Sequence, residues 1–272
     1  MKKLYMVLNL AAAMAASRSF ATMTVTLLDN TSSATGYSKH FTGGVYGSSG
    51  VIGGEFRAVG NSALDKIINW NAYSTQTKGT ISSATDGSSQ GYSSSLNSQQ
   101  YFQTFCLEYS EPFTPGTTYN VSISQNAMFG GNAPLGDPIS IGTAWLYSQF
   151  AAGKLDDYTT PKYNYTYGSN RETESGLLQQ AIWWLEGETG GVKTSFITLA
   201  EGILHLNDTT IKLNSNGAYG VYAMNLGTPG MVQDQLVIIV PEASTLIAGT
   251  ILLLPFGTKA FRFFRRNRLP NE

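Results

Sequence analysis

A single cysteine, Cys106, sits in a chain of 272 residues whose two ends both read as export signals. In an oxidising compartment one thiol cannot close an internal disulfide. The thiol itself must be buried and inert, paired with another molecule, or committed to other chemistry. Residues 22–240 provide enough chain for one large core or two small ones.

The N-terminus reads Met1-Lys2-Lys3, an apolar run from Leu4 to Ala16, then Ser19-Phe20-Ala21. A charged start, an apolar stretch and small-x-small residues make a signal peptide over 1–21, with Ala16 as the alternative cleavage point. The run is short and Ala-rich for a membrane span. At the other end, Pro241-Glu242-Ala243 leads into an apolar stretch through Phe256, followed by Lys259, Arg262, Arg265, Arg266 and Arg268. The basic cluster stays cytoplasmic, which puts the preceding body outside the inner membrane. The last thirty or so residues resemble the PEP-CTERM sorting tails, with a Pro-Glu-Pro box, one membrane helix and an Arg-rich end. Ala243 departs from the box's third residue. The resemblance makes 241–272 a sorting and membrane anchor, with Pro241, Glu242 and Ala243 as its motif. It implies an exosortase-type enzyme as partner, in an envelope-bearing bacterium that makes exopolysaccharide. An anchored precursor would pass to the cell envelope, surface or matrix. A plain C-terminal anchor is the simpler reading.

Charge narrows the partners. Three basic residues lie in the leader and five in the tail, and Glu242 and Glu272 also lie in the tail. That leaves nine Lys and Arg against sixteen Asp and Glu in 22–240, a formal charge of −7. Such a body suits neither nucleic acid nor binding to anionic lipid by charge. Its Gly, Ser, Thr, Asn and Tyr content is that of an extracellular β-rich protein.

The pattern along the body predicts strands, then helices, then strands. Met23–Leu28 and Thr118–Ser124 alternate as strands do, and Gly43–Val59 reads as strands with turns. Ala63–Trp70 is a short helix or strand; Ser74–Gln100 reads as a long loop or an irregular hairpin, and Asn126–Pro138 as a loop. Tyr101–Tyr109 reads as a buried strand carrying Cys106. Helices are expected over Gly142–Leu155, Glu174–Glu186 and Ser195–Leu206, and strands over Ala218–Asn225 and Gln235–Val240. The expected class is α+β: a β-sandwich or barrel-like sheet with an insert of about three helices packed on one side.

Two segments carry chemistry. Phe105-Cys106-Leu107 offers an apolar-flanked thiol, and Leu178-Gln179-Gln180-Ala181-Ile182-Trp183 offers a carboxamide beside tryptophan. A carboxamide is a poor electrophile, but proximity enforced by folding offsets that. Sulfur attacks the side-chain carbon, ammonia leaves, and an internal thioester remains, open to an amine or hydroxyl of another molecule. The two segments resemble the thioester domains of Gram-positive surface adhesins, which carry an aromatic-Cys segment and a Thr-Gln-x-Ala-Ile-Trp segment. Aligning Ala181-Ile182-Trp183 makes Gln179, not Gln180, the acyl donor, with Leu178 where Thr is usual. The Trp145-Leu146-Tyr147 stretch between the segments fits the same layout. Trp183 and Trp184, with Trp145 and Tyr147, offer the apolar shield that would slow hydrolysis, and Trp183, Trp145 and Tyr147 are the candidate binding residues. The resemblance implies a covalent adhesin with Cys106 and Gln179 as reacting groups. The reagent acts once, needs no cofactor or metal, and is not an enzyme. Its target is a surface or matrix ligand with a nucleophile.

Blander readings stand beside these. Cys106 can be a buried structural thiol and the glutamines ordinary helix-surface residues, giving a non-covalent structural or glycan-binding protein of the exopolysaccharide matrix. A Cys106–His205–Asp208 hydrolase can be drawn, without nucleophile-elbow glycines. His40 and His205 lack metal-ligand spacing. Glu108 with Glu111, or Glu186 with Glu188, read as solvated charge rather than glycosidase pairs.

Overall fold

The computed structural model describes residues 21–28, 53–82, 91–128, 136–166, 169–227 and 232–240. The leader through residue 20 and the tail from 241 onward, where the signal peptide and sorting motif are expected, lie outside the described residues.

The fold is α+β. Its strands are β1 (Thr24–Leu28), β2 (Phe56–Gly60), β3 (Lys78–Thr80), β4 (Gln100–Thr104), β5 (Thr118–Ser124), β6 (Asn126–Ala127), β7 (Asp137–Pro138), β8 (Val221–Leu226) and β9 (Gln235–Ile238). Its α-helices are α1 (Ser62–Asp65), α2 (Ile141–Ala151), α3 (Ser169–Glu186) and α4 (Ser195–Leu204). Seven strands make one sheet in the order β3-β4-β2-β1-β5-β8-β9, with every pair antiparallel. The expected β–helix–β organisation is therefore present, as a single sheet rather than two stacked ones.

The ends of that sheet are stitched together. Beyond Thr104 the chain leaves β2 and runs alongside β9. The Leu107 amide donates to the Asp234 carbonyl at 2.9 Å, and the Leu236 amide to the Phe105 carbonyl at 3.1 Å. Between these bonds Cys106 and Gln235 form an isolated antiparallel bridge. The strand expected over Tyr101–Tyr109 thus ends at Thr104, because its later residues change partners. Two strands that part leave main-chain groups to be satisfied by something else, and this opening is where the candidate site lies.

The helices cover the sheet through one large core, which includes Val25, Ala58, Phe102, Phe150, Ile182, Phe196 and Met224. Helix α2 lies at its centre, against α3, α4 and β8, so apolar residues surround it rather than forming one stripe. Ser140 caps it, accepting from the Thr143 amide at 3.1 Å. Gly142 makes the close approach possible: a Cβ there would fall 2.7 Å from both Ile211 and Leu185 side chains.

Of the two readings of Ser74–Gln100 the hairpin is the one found: β3 pairs antiparallel with β4, and the segment holds a short 3-10 turn, with Ile81 and Leu96 anchored in a small second core with Leu28, Val59 and Tyr101. One boundary changes. Helix α3 starts at Ser169, before the expected Glu174, because its polar first turns contain the buried Arg171 and Ser175. Among the described residues no helix is long and apolar enough to cross a membrane.

Candidate functional site

Helix α3 carries Arg171, Ser175, Gln179 and Trp183 at four-residue spacing, so they share one face. All four are buried, with Gln179 and Trp183 at 0% exposure. A polar stripe on a buried helix face must meet polar partners, and here it meets the opening in the sheet.

Continuing the β2–β4 register past Phe56↔Thr104 puts Gly54 opposite Cys106. The two do not pair; the Gln179 carboxamide stands between them. Gln179 Oε1 accepts from the Cys106 amide at 2.9 Å and from the Gly54 amide at 3.3 Å. Gln179 Nε2 donates to the Cys106 carbonyl at 2.7 Å. One side chain thereby replaces a missing strand partner, since a carboxamide presents the same donor and acceptor as a peptide group. Gly54 adopts φ +131°, a conformation that L side chains rarely take, which suits it to the diverging strand.

Gly54 is held from the other side through its neighbour. The Glu55 carboxylate, fully buried, receives Arg171 Nε at 2.9 Å and the Tyr163 hydroxyl at 2.9 Å, and pairs with Arg171 Nη2. Arg171 Nη2 also donates to the Gln76 carbonyl at 3.0 Å, and Nη1 to the Tyr165 carbonyl. The same helix therefore supplies both the carboxamide and the clamp on the strand it faces.

The sulfur meets a second carboxamide. Gln235 Nε2 donates to Cys106 Sγ at 3.4 Å and to the Gln233 carbonyl at 3.4 Å. Phe56, Cys106 and Trp183 form their own buried cluster, with Tyr109 and Phe113 as its partly exposed members. The Tyr109 ring meets Trp183 edge-on at 5.1 Å, and Phe113 meets Phe56 likewise at 4.8 Å. Tyr109 fits because residue 190 is glycine: a Cβ there would lie 1.9 Å from its ring.

Carboxyl groups adjoin this cover. Burial, reinforced by the charge of Asp234, raises Glu108 far above the usual carboxylate range, so it is neutral at pH 7. Burial also raises Asp234, whose oxygens accept from the Leu226 amide at 2.9 Å and the Met128 amide at 2.7 Å. Glu108, 2% exposed, is not the solvated charge expected of it. Glu188 accepts from the Tyr109 amide at 3.1 Å.

Of the residues singled out in the sequence, Cys106, Gln179 and Trp183 come together. Gln180 is only partly buried on the neighbouring face of α3. Trp145 and Tyr147 belong to the main core instead. The Tyr147 hydroxyl is 2.9 Å from the Gln103 carbonyl and 3.1 Å from that of Leu236, and Trp145 packs near Tyr158. Their place in the central helix, rather than on α3, gives them packing work away from the sulfur's cluster. The Cys106–His205–Asp208 arrangement is not assembled: His205 and Asp208 are exposed, with Asp208 paired to Lys193, whereas Cys106 is fully buried. No group of three or more His, Cys, Asp or Glu among the described residues could hold a metal ion.

Sequence reasoning missed Gly54, Phe56, Tyr109, Phe113 and Gln235. One signal was available: Gln235 heads the apolar run Leu236-Val237-Ile238-Ile239, where a buried amide needs a reason.

Comparison with known proteins found no family model, no curated protein and no solved structure that matches this chain.

Proposed function

We propose that the exported protein forms an internal thioester between Cys106 and Gln179 and uses it to attach covalently to an amine or hydroxyl of a surface or matrix molecule. The observation that carries this reading is the pair of main-chain amides, from Cys106 and Gly54, that converge on Gln179 Oε1. Two fixed N–H donors on one carbonyl oxygen polarise it and stabilise the oxyanion of a tetrahedral intermediate. The thiolate of Cys106 bonds to the carboxamide carbon and the π pair moves to Oε1. The C–N bond then breaks, and nitrogen leaves as ammonia with the proton that the thiol gave up. Complete burial of both side chains excludes the water that would hydrolyse the product. A target amine passing Tyr109 and Phe113 reverses the logic: its nitrogen bonds to the acyl carbon, the C–S bond breaks, and the thiol is restored. In the same reading the tail from Pro241 sorts and anchors the precursor through an exosortase-type enzyme, leaving an adhesin-like protein at the envelope.

One observation favours the quieter alternative, a non-covalent matrix protein with an inert thiol. The Gln179 carboxamide already satisfies both main-chain groups of Cys106, which is structural work enough for a buried glutamine. Intact mass of freshly purified native protein separates the two. The thioester form is lighter by one ammonia, titrates no thiol and gains methylamine, and Cys106→Ala or Gln179→Ala abolishes all three signs. An unmodified mass with a titratable thiol refutes the covalent reading.

A further inference from the structure

Two carboxamides approach Cys106, and they are held in opposite ways. That of Gln179 shows the site its carbonyl, with two amide donors on the oxygen. That of Gln235 shows the sulfur an N–H, at 3.4 Å from Sγ. Gln235 is 0% exposed, and its Oε1 is buried with no hydrogen-bond partner. A buried carbonyl left unsatisfied is destabilising. A methionine or leucine would fill this position at the head of β9 without that defect, so packing does not account for a glutamine here. Among the described residues its side chain makes one polar contact outside its own segment, to the sulfur.

We propose that Gln235 is a catalytic residue of the acyl chemistry at Cys106, its side-chain N–H stabilising negative charge on Sγ. The inference rests on the thioester reading. Charge develops on sulfur at two moments. When the ring forms, the thiol must shed its proton before the sulfur pair bonds to the Gln179 carbon. When a target amine opens the ring, the C–S bond breaks and its pair returns to sulfur. An N–H already aimed at Sγ is worth more to the thiolate than to the neutral thioether-like sulfur of the closed ring. The oxyanion donors and the thiolate donor act on different atoms and at different moments: the first serve the oxygen of the tetrahedral intermediate, the second the sulfur before that intermediate forms and after the C–S bond breaks. Gln235 is not itself the acyl donor, because its carbonyl oxygen receives no such hydrogen bonds among the described residues.

The test uses Gln235→Met, close in volume and without an N–H, and Gln235→Leu, which also lacks any side-chain donor. Full-length chain is taken from the denatured state, refolded, and sampled by intact mass for loss of ammonia; the closed form is then mixed with methylamine and sampled for adduct. One hydrogen bond to a charged group corresponds to about tenfold in rate. Gln235→Met is expected to close and to open about tenfold more slowly, with a Tm equal to or above that of the parent because the orphaned carbonyl is gone. A packing residue predicts the reverse, a lower Tm and unchanged rates, and that result overturns the inference. If Gln235→Met fails to fold, slower closure of folded Gln235→Leu supports the proposal, and closure at the parental rate overturns it. A parental chain that never loses ammonia refutes the thioester reading and this inference with it; a parent that closes beside variants that close equally fast refutes this inference alone.

Discussion

The Glu55–Arg171 pair allows the most demanding test of how the site is held. Glu55 is 0% and Arg171 1% exposed, so neither charge has water to fall back on. Arg171→Met leaves the Glu55 carboxylate with only the Tyr163 hydroxyl as a hydrogen-bond donor among the contacts described above, and strips donors from the Gln76 and Tyr165 carbonyls. Breaking one side of a buried pair costs about 3–5 kcal/mol. For a domain of this size that lowers Tm by about 6–20 °C. Removing both charges in Glu55→Leu/Arg171→Met recovers most of the loss, because well-packed apolar residues commonly match a buried ion pair. The acylation rate should not recover with it. Glu55 fixes the residue whose amide is the second donor to Gln179 Oε1, and loss of one such donor costs about 10²–10³ in rate. Thermal melts followed by circular dichroism give the first quantity, and time-resolved loss of ammonia on refolding gives the second. An Arg171→Met melt within about 2 °C of the parent refutes the ion-pair argument. A double variant that regains both stability and parental closure refutes the link from Glu55 through Gly54 to the carbonyl.

Two other outcomes follow from contacts at the cover and from the buried acids. Gly190→Ala puts a methyl group into the Tyr109 ring; overpacking of this kind costs about 1–3 kcal/mol, and displacing Tyr109 should raise the hydrolysis rate of the closed form, read by return of the titratable thiol. Stability should fall as pH rises. Burial lifts Glu186 and Glu111 from the ordinary 4.5 to about 7, so between those values the folded state holds protons that the unfolded state has released. Their contribution is complete below pH 4.5 and is lost as pH passes 7, which predicts a Tm about 5 °C lower at pH 8 than at pH 5. A flat or rising profile over that interval contradicts the assignment.

The pattern of the sequence located most elements because their periods are local properties. β1 and β5 alternate, and α2, α3 and α4 lie where apolar spacing changes from two to about 3.6. The link between Cys106 and Gln179 was legible only through the Ala-Ile-Trp context of α3, since nothing local in either segment names the other. What stayed hidden depends on topology. Thr104 ends β4 because the chain moves from β2 to β9, a choice made by the stitched sheet and not by residues 101–109. Gly54 and Gln235 matter only because that move puts them on either side of Cys106. Trp145 and Tyr147 misled for the same reason: aromatic residues on a central helix look like a shield until the helix is found to be core on all sides.

Where β2 and β4 part, the main-chain groups of Cys106 and the amide of Gly54 lose their strand partners together. A single side chain can repair all three only if it offers an acceptor for two donors and a donor for one acceptor. Asn and Gln do so without charge and with donor and acceptor on separate atoms, where a hydroxyl must serve from a single oxygen, and the longer of the two reaches further from α3. Gln179 is thus explicable as repair before any reaction is invoked. The repair also has a chemical consequence. The acceptor that takes both amides is a carbonyl, and its carbon is attached to the residue now fastened against a cysteine. Fastening by the main chain leaves the Cys106 side chain out of the repair. Sγ is instead met from the opposite side, by an N–H whose own carbonyl is sacrificed. Had the site been selected for repair alone, an apolar residue at 235 would have cost nothing. The orphaned oxygen of Gln235 is therefore a feature of this seam that repair alone does not require, and it belongs to a carboxamide whose N–H is directed at the sulfur.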